Sequence, residues 1–200
     1  MTNRLILASE SPRRYSLLKQ VGLDFDVIPS QINEDIIFAE NPEQYVIRIA
    51  NKKALEVGSR YPENWVIAAD TIVYIDNSIL GKPKDTKEAK EMLLRLSGRQ
   101  HSVFTGISIC NLRKGKTNSM AVKTFVKMKN ISPSEIEWYV NTEEPYDKAG
   151  GYAVQGIGSI LIESIYGSYT NVIGLPLCEL FQMLMQLGAI EISPLGIKII

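Results

Sequence analysis

Histidine and cysteine are scarce in this chain of 200 residues: His101 is the one histidine, and Cys110 and Cys178 are the two cysteines. They form no close-spaced motif and cannot build a common zinc site. With His101 as the sole imidazole, no Ser/His/Asp set is convincing either, and a structural role suits it better. Disulfide reliance is not indicated, which fits a reducing cytoplasm. An excess of charge of one sign is also missing, since Lys+Arg and Asp+Glu stand at 22 each. That balance argues against a polyanion-binding surface. Nucleic acid is therefore not an expected partner, although a local basic pocket stays open. No apolar run approaches the ~20 residues that a membrane helix needs, and no signal-peptide core follows Arg4. The expectation is a soluble cytoplasmic protein with no membrane partner. Neither a P-loop nor a Rossmann glycine pattern is present, which weakens the ordinary NTPase and dinucleotide readings. Repeats, linkers and low-complexity stretches are absent as well.

What remains is 45% hydrophobic and 22% charged, enough for one domain, or two closely joined lobes, with a sizeable core. The chain is organised around Leu5-Ile6-Leu7-Ala8-Ser9-Glu10-Ser11-Pro12-Arg13-Arg14. It reads as a short strand, a tight polar turn and the start of a helix, with Ser11 as N-cap and Pro12 at the first helical position. Leu17, Leu18 and Val21 supply an apolar stripe and Gly22 a stop. Arg13 and Arg14 are out of place there, because a helix dipole disfavours cations in the first turn by roughly 0.3–1 kcal/mol each. An anion bound at the same N–H groups would turn that penalty into a gain, and arginine grips phosphate bidentately. Two solvated arginines on a surface helix would read the same way.

Farther along, Phe25-Asp26-Val27-Ile28 predicts a second strand, followed by a polar loop from Pro29 to Asn41 that holds Glu34 and Asp35. Asn41, Pro42 and Gln44 suggest a capped helix start. Tyr45, Val46, Ile49, Ala50, Lys53 and Ala54 then follow helical spacing, which sets Lys53 close to the apolar face. Trp65 to Ile75 is a long strand, apolar almost throughout, as in a strand covered on both faces. Asp76-Asn77-Ser78 turns the chain, and Asp85 and Glu88 open an amphipathic helix that ends at Gly98. His101 to Leu112 and Thr117 to Met128 form a hairpin. Ser132, Pro133 and Glu135 open another helix. Ser159 to Ile165 reads as a strand inside a glycine-dense segment, and Pro176 starts a last helix through Leu187. The tail from Ala189 carries no clear signal. Helices alternating with strands around a central hairpin predict an α/β protein. Its mixed twisted sheet has flanking helices, and its two lobes enclose a central cleft.

Asp70 interrupts the most apolar strand, and an unpaired buried carboxylate is costly. It is either a structural aspartate bonded to backbone N–H groups at a bend, or a metal ligand or general base. Thr71 faces the opposite way if the strand is regular. Lys53, Lys82 and Lys148 recur near predicted loops and, with Arg13 and Arg14, could cradle a polyphosphate, although each taken singly suits a solvated side chain. Glu34 and Asp70 could hold magnesium, which takes oxygen ligands together with substrate phosphates.

These pieces together resemble the Maf family of nucleoside triphosphate pyrophosphatases. The resemblance runs from about Leu5 to Leu187. Its marks are Ala8 to Arg14, Ala69-Asp70-Thr71, Leu80-Gly81-Lys82-Pro83, Leu96-Ser97-Gly98 with His101, and Thr105-Gly106. Farther on come Glu144-Pro145, Lys148-Ala149-Gly150, Gln155-Gly156 and Gly174-Leu175-Pro176-Leu177. The resemblance implies a single domain over residues 1–200, with two lobes around a cleft as in inosine triphosphate pyrophosphatases. It implies hydrolysis of a nucleoside triphosphate to monophosphate and pyrophosphate with a divalent cation, Mg2+ or Mn2+. It assigns Asp70 as proton acceptor. Arg13, Thr71 and Gln155 take the base-selectivity positions, and Ser9, Arg14, Glu34, Lys53 and Lys82 the remaining cleft positions, Glu34 and Asp70 being the pair read above as metal ligands. Arginine, threonine and glutamine at the selectivity positions resemble the branch that acts on dTTP and UTP. A branch acting on 7-methyl-GTP carries tryptophan, glutamine and glutamate there. Asn33-Glu34 departs from the two adjacent acids of many members, so that either Asp35 supplies the second charge or metal affinity differs. The alternatives are a 7-methyl-GTP or broader pyrimidine and modified-nucleotide pyrophosphatase, or a non-catalytic nucleotide-binding regulator of cell division. The oligomeric state is left open, a homodimer included.

Overall fold

The computed structural model describes residues 4–33, 40–194 and 196–200. In chain order the elements begin β1 (Leu5–Leu7), α1 (Pro12–Gln20), β2 (Phe25–Val27), α2 (Pro42–Arg60), β3 (Trp65–Ile75) and β4 (Ser78–Leu80). They continue with α3 (Thr86–Leu96), β5 (Gln100–Asn111), β6 (Lys116–Met128), α4 (Pro133–Val140) and β7 (Ile162–Tyr166). The last are α5 (Tyr169–Ile173), α6 (Leu177–Leu187), β8 (Ile190–Ser193) and β9 (Gly196–Ile199). The chain divides into two compact units, one of Met1–Asp70, Thr105–Val122 and Gly174–Ile200, the other of Thr71–Phe104 and Lys123–Ile173. Strands β3, β5 and β6 each run through a boundary between them.

In the first unit β1 lies between β2 and β3, parallel to both, with Leu5 opposite Phe25 on one side and Trp65 on the other. Parallel neighbours need crossovers, which α1 and α2 provide. Ser11 caps α1 by accepting from the Arg14 N–H, as its sequence predicts. Asn41 caps α2 by accepting from the Glu43 N–H at 2.9 Å, a two-residue turn in place of the expected box with Gln44. Ile6, Ala8, Val66 and Ala68 from the sheet pack on Ala54 and Val57 of α2, with Cys110 among them. Helix α2 approaches β5 closely, and a Cβ on Gly106 would run into the Val46 carbonyl. The tail forms the hairpin β8–β9, and the Ile200 carbonyl accepts from the Trp65 indole at 3.1 Å.

In the second unit β3 turns into β4 through Asp76 and Asn77, both with positive φ, as a tight two-residue hairpin requires. Helices α3 and α4 cover a core that includes Val73, Leu93, Leu96, Val103, Val126, Met128, Ile136, Tyr139 and Leu161. Ser132 and Glu135 form the complete capping box of α4. The strand expected over 159–165 is only half present. Residues Ile157–Leu161 wind into a 3-10 turn, and pairing with β6 begins at Ile162. Among the described residues, no helix is long and apolar enough to cross a membrane.

Candidate active site

In the first unit the residues singled out by the sequence gather where the parallel strands end. Ala8 closes the β1 ladder by donating to the Ile67 carbonyl at 2.8 Å. Ser9 and the start of α1 follow, and Asp70 lies just beyond Ile67 on β3. Such carboxyl ends are where open α/β sheets bind ligands. The Ser9 hydroxyl oxygen accepts from the Ser11 N–H at 3.2 Å and from an Arg14 guanidinium nitrogen at 3.1 Å. Arg14 Nε donates to the Gly174 carbonyl at 2.8 Å. The guanidinium is thus fixed in orientation, and the segment before α6 is tied to the first turn of α1. Arg13, beside it, is half-buried.

Asp70 and Lys53 are both buried, with Lys53 Nζ donating to Asp70 Oδ1 at 2.8 Å. The bend-type aspartate bonded to backbone amides is therefore not what stands here. The charge partner is an ammonium carried by the apolar face of α2. Pairing offsets the desolvation that either charge alone would suffer. The signal for the pair was present in the sequence: a lone lysine on an apolar helix face and a lone aspartate in an apolar strand.

The second unit carries Thr71, Lys82 and Gln155. Thr71 is half-buried on β3, and Lys82 is exposed in the turn after β4. That turn is held by the Gly150 N–H, which donates to the Gly81 carbonyl at 2.9 Å. Gly150, at φ 73°, sits hard against Val73 of β3. Lys148 belongs to its own loop, donating to the Glu144 carbonyl at 2.7 Å and to Asp147 at 2.5 Å. Gln155 is exposed, just before Gly156. His101 is buried and bonds Tyr152 through Nε2 at 2.6 Å. Burial holds its pKa down at about 4, so it stays neutral, in keeping with a structural role.

Glu34 and Asp35 lie outside the described residues. Among those described, no group of three or more histidine, cysteine or acidic side chains could hold a metal ion. Among the described residues, Asp70 is the one buried carboxylate that this part of the chain offers a cation. That donor chemistry fits a hard, oxygen-seeking ion held partly by substrate phosphates and water, the usual habit of magnesium, and not a closed protein cage.

The family described as "Maf-like protein" matches residues 4–187. A protein of Syntrophus aciditrophicus named dTTP/UTP pyrophosphatase is 48% identical over 193 residues, covering 96% of this chain and 94% of its own. A Syntrophotalea carbinolica protein of the same name is 48% identical over 191 residues, covering 94% and 86%. The fold is similar to that of a solved HAM1 protein from Coxiella burnetii. The TM-score is 0.50 at 16% identity, covering 92% of this chain and 100% of that one.

Proposed function

Because the chain belongs to the Maf family, we propose that it is a nucleoside triphosphate pyrophosphatase. In this reading it hydrolyses dTTP and UTP to the monophosphate and pyrophosphate. The observation that carries the chemistry is the buried Asp70–Lys53 pair at 2.8 Å, beside the parallel-strand ends that also present Ser9 and Arg14. A buried carboxylate that accepts a hydrogen bond from an ammonium neighbour is a candidate base in a fixed position, and the cations of this segment suit a polyphosphate.

Arg13, Arg14, Lys53 and Lys82 neutralise phosphate oxygens and the charge that builds in the transition state. Ser9, whose oxygen already accepts two hydrogen bonds, has its own O–H to donate. Asp70 accepts the proton of a water that attacks the α-phosphorus. The new bond is from water oxygen to phosphorus, and the bond to the β-phosphate oxygen breaks to release pyrophosphate. A divalent cation, Mg2+ or Mn2+, held by Asp70 with Glu34, supplies charge neutralisation and a more acidic water when bound. Arg13, Thr71 and Gln155 read the base. A glutamine amide offers one donor and one acceptor, which matches the uracil edge shared by dTTP and UTP. The balanced charge and the absence of zinc or disulfide patterns support a cytoplasmic setting without nucleic acid as partner.

The test is to incubate the protein with magnesium or manganese and dTTP, UTP, CTP, GTP or 7-methyl-GTP, reading pyrophosphate apart from orthophosphate. Pyrophosphate from dTTP and UTP is the expected result. Release from 7-methyl-GTP alone would keep the reaction and overturn the base assignment. No pyrophosphate from any of them would leave the non-catalytic nucleotide-binding reading.

A further inference from the structure

Glu144 has no role in the chemistry above, yet it organises the loop that carries Gln155. The residue is half-buried just after α4, and its carboxylate faces residues 156–158. Oε1 accepts from the Tyr139 hydroxyl at 2.9 Å and from the Gly158 N–H at 2.7 Å. Oε2 accepts from the Ile157 N–H at 2.9 Å. One carboxylate thus collects three donors, two of them consecutive backbone amides. Charge-assisted bonds of this kind are roughly twice as strong as neutral ones. Burial and Glu144 together hold the Tyr139 phenol well above its ordinary range, so it remains a donor.

The loop is shaped around that carboxylate. Gly156 has φ 74° and ψ −149°, a conformation that side-chain-bearing residues avoid. A Cβ there would collide with Glu144 Oε2. At Gly158 a Cβ would stand 2.6 Å from the Tyr139 hydroxyl oxygen and 2.7 Å from the Ala153 carbonyl. The 3-10 turn that displaces the first half of the expected strand begins at these clamped amides. Gln155, just ahead of them, is exposed and has no side-chain partner among the described residues.

We infer that Glu144 is a positioning residue for base recognition: through the Ile157 and Gly158 amides it holds the loop in which Gln155 presents its amide to a pyrimidine. The inference rests on the proposed role of Gln155. A glutamine amide is nearly symmetric in shape and opposite in polarity end to end. One orientation fits the O4 and N3–H of uracil, and the reverse fits the amino group and N3 of cytosine. A firmly held loop limits the approach to one of these, and a slack loop admits both. Slackness also adds ordering entropy that substrate binding must offset.

The experiment compares Glu144→Gln with wild type. The variant keeps the shape and sets an amide NH2 against a donor that needs an acceptor. Amide exchange is measured first, without nucleotide. Ile157 and Gly158 should exchange at least tenfold faster in the variant, with the amides of α3 unchanged. Unchanged exchange at both would overturn the anchoring. Kinetics then test the consequence. KM for UTP should rise roughly tenfold with kcat within about twofold, and the preference for UTP over CTP should shrink. In a Gln155→Ala background the Glu144→Gln effect should vanish, because both act through one contact. Equal losses on UTP and CTP, or full additivity with Gln155→Ala, would show a merely structural role. If Glu144→Gln does not fold, Glu144→Asp, which keeps the charge with a shorter reach, is read by the same criteria. Absence of wild-type pyrophosphate release from dTTP and UTP would defeat the proposed function. The exchange result would still decide whether Glu144 anchors the loop.

Discussion

Lys53 and Asp70 set a conflict between stability and chemistry within a single pair. Buried ions gain little net stability from pairing, but losing one partner strands the other in a dry site, at a cost of about 3–5 kcal/mol. Lys53→Met should therefore lower the urea midpoint clearly, and adding Asp70→Leu should recover most of the loss. A double variant no more stable than Lys53→Met would show that the pair is not what holds α2 on β3 at this point. Asp70→Asn keeps the shape of the side chain but not its basicity. Turnover should fall about 10²–10⁴-fold if Asp70 accepts the proton, measured at a temperature where the variant is folded. Full turnover would remove it from that role. Gln155→Glu replaces a donor with an acceptor, and kcat/KM for UTP should drop about 10–100-fold with the melting temperature nearly unchanged. Much of the candidate site was legible from residue chemistry, since a charge inside an apolar run needs a partner or a purpose. The bonds from Arg14 to Gly174 and from Glu144 to Ile157 and Gly158 were not. They join backbone groups to side chains far along the chain, and no local pattern announces that.

Helix α2 is the element that carries the lysine, and its distance from β5 is set by a missing side chain. The Val46 carbonyl occupies the space a Cβ on Gly106 would take, and Ile47 N would lie 2.8 Å from it. Gly106→Ala must push α2 outward or bend β5, and overpacking of this kind costs about 1–3 kcal/mol. Because Lys53 rides on α2, the variant should also lose turnover beyond its loss of folded protein. A Gly106→Ala protein as stable and active as wild type would mean the helix can shift freely. The Thr105-Gly106 mark drew attention in the sequence, while the reason for it lies in packing between distant elements. The same contrast runs through the fold. Strand β3 was readable because its apolar run is long, and α3 and α4 because caps and spacing agree. The hairpin β8–β9 was not, because its strands are only 4 residues each and its outward face is mostly exposed. The strand expected at 159–165 fails in its first half because Glu144 and two glycines fix a tighter turn there.

At the scale of the whole molecule, the two units are not consecutive stretches of chain, and the backbone passes between them inside β3, β5 and β6 as well as before α6. His101 sits near the start of β5, on a strand that continues into the other unit, so destabilising it should lower one shared transition and not melt a separate part. Its folded pKa of about 4 lies below the 6.5 of an ordinary imidazole. Between those values the unfolded chain binds a proton that the folded chain refuses. Stability is therefore complete above about pH 6.5 and declines as pH falls toward 4, by about 3 kcal/mol in all. Glu135, held down at about 2 by Lys129 and the Ser132 cap, acts in a separate window. Its contribution is present above the ordinary carboxylate range and is lost only below it. Melting temperatures recorded from pH 7.5 to 4.5 should thus fall with decreasing pH before the carboxylates begin to titrate. His101→Gln, which can still reach the Tyr152 hydroxyl but carries no titrating ring, should flatten that decline. An equally steep decline in His101→Gln would place the acid sensitivity elsewhere and leave His101 as a neutral packing group, whose Nδ1 lacks a partner among the described residues.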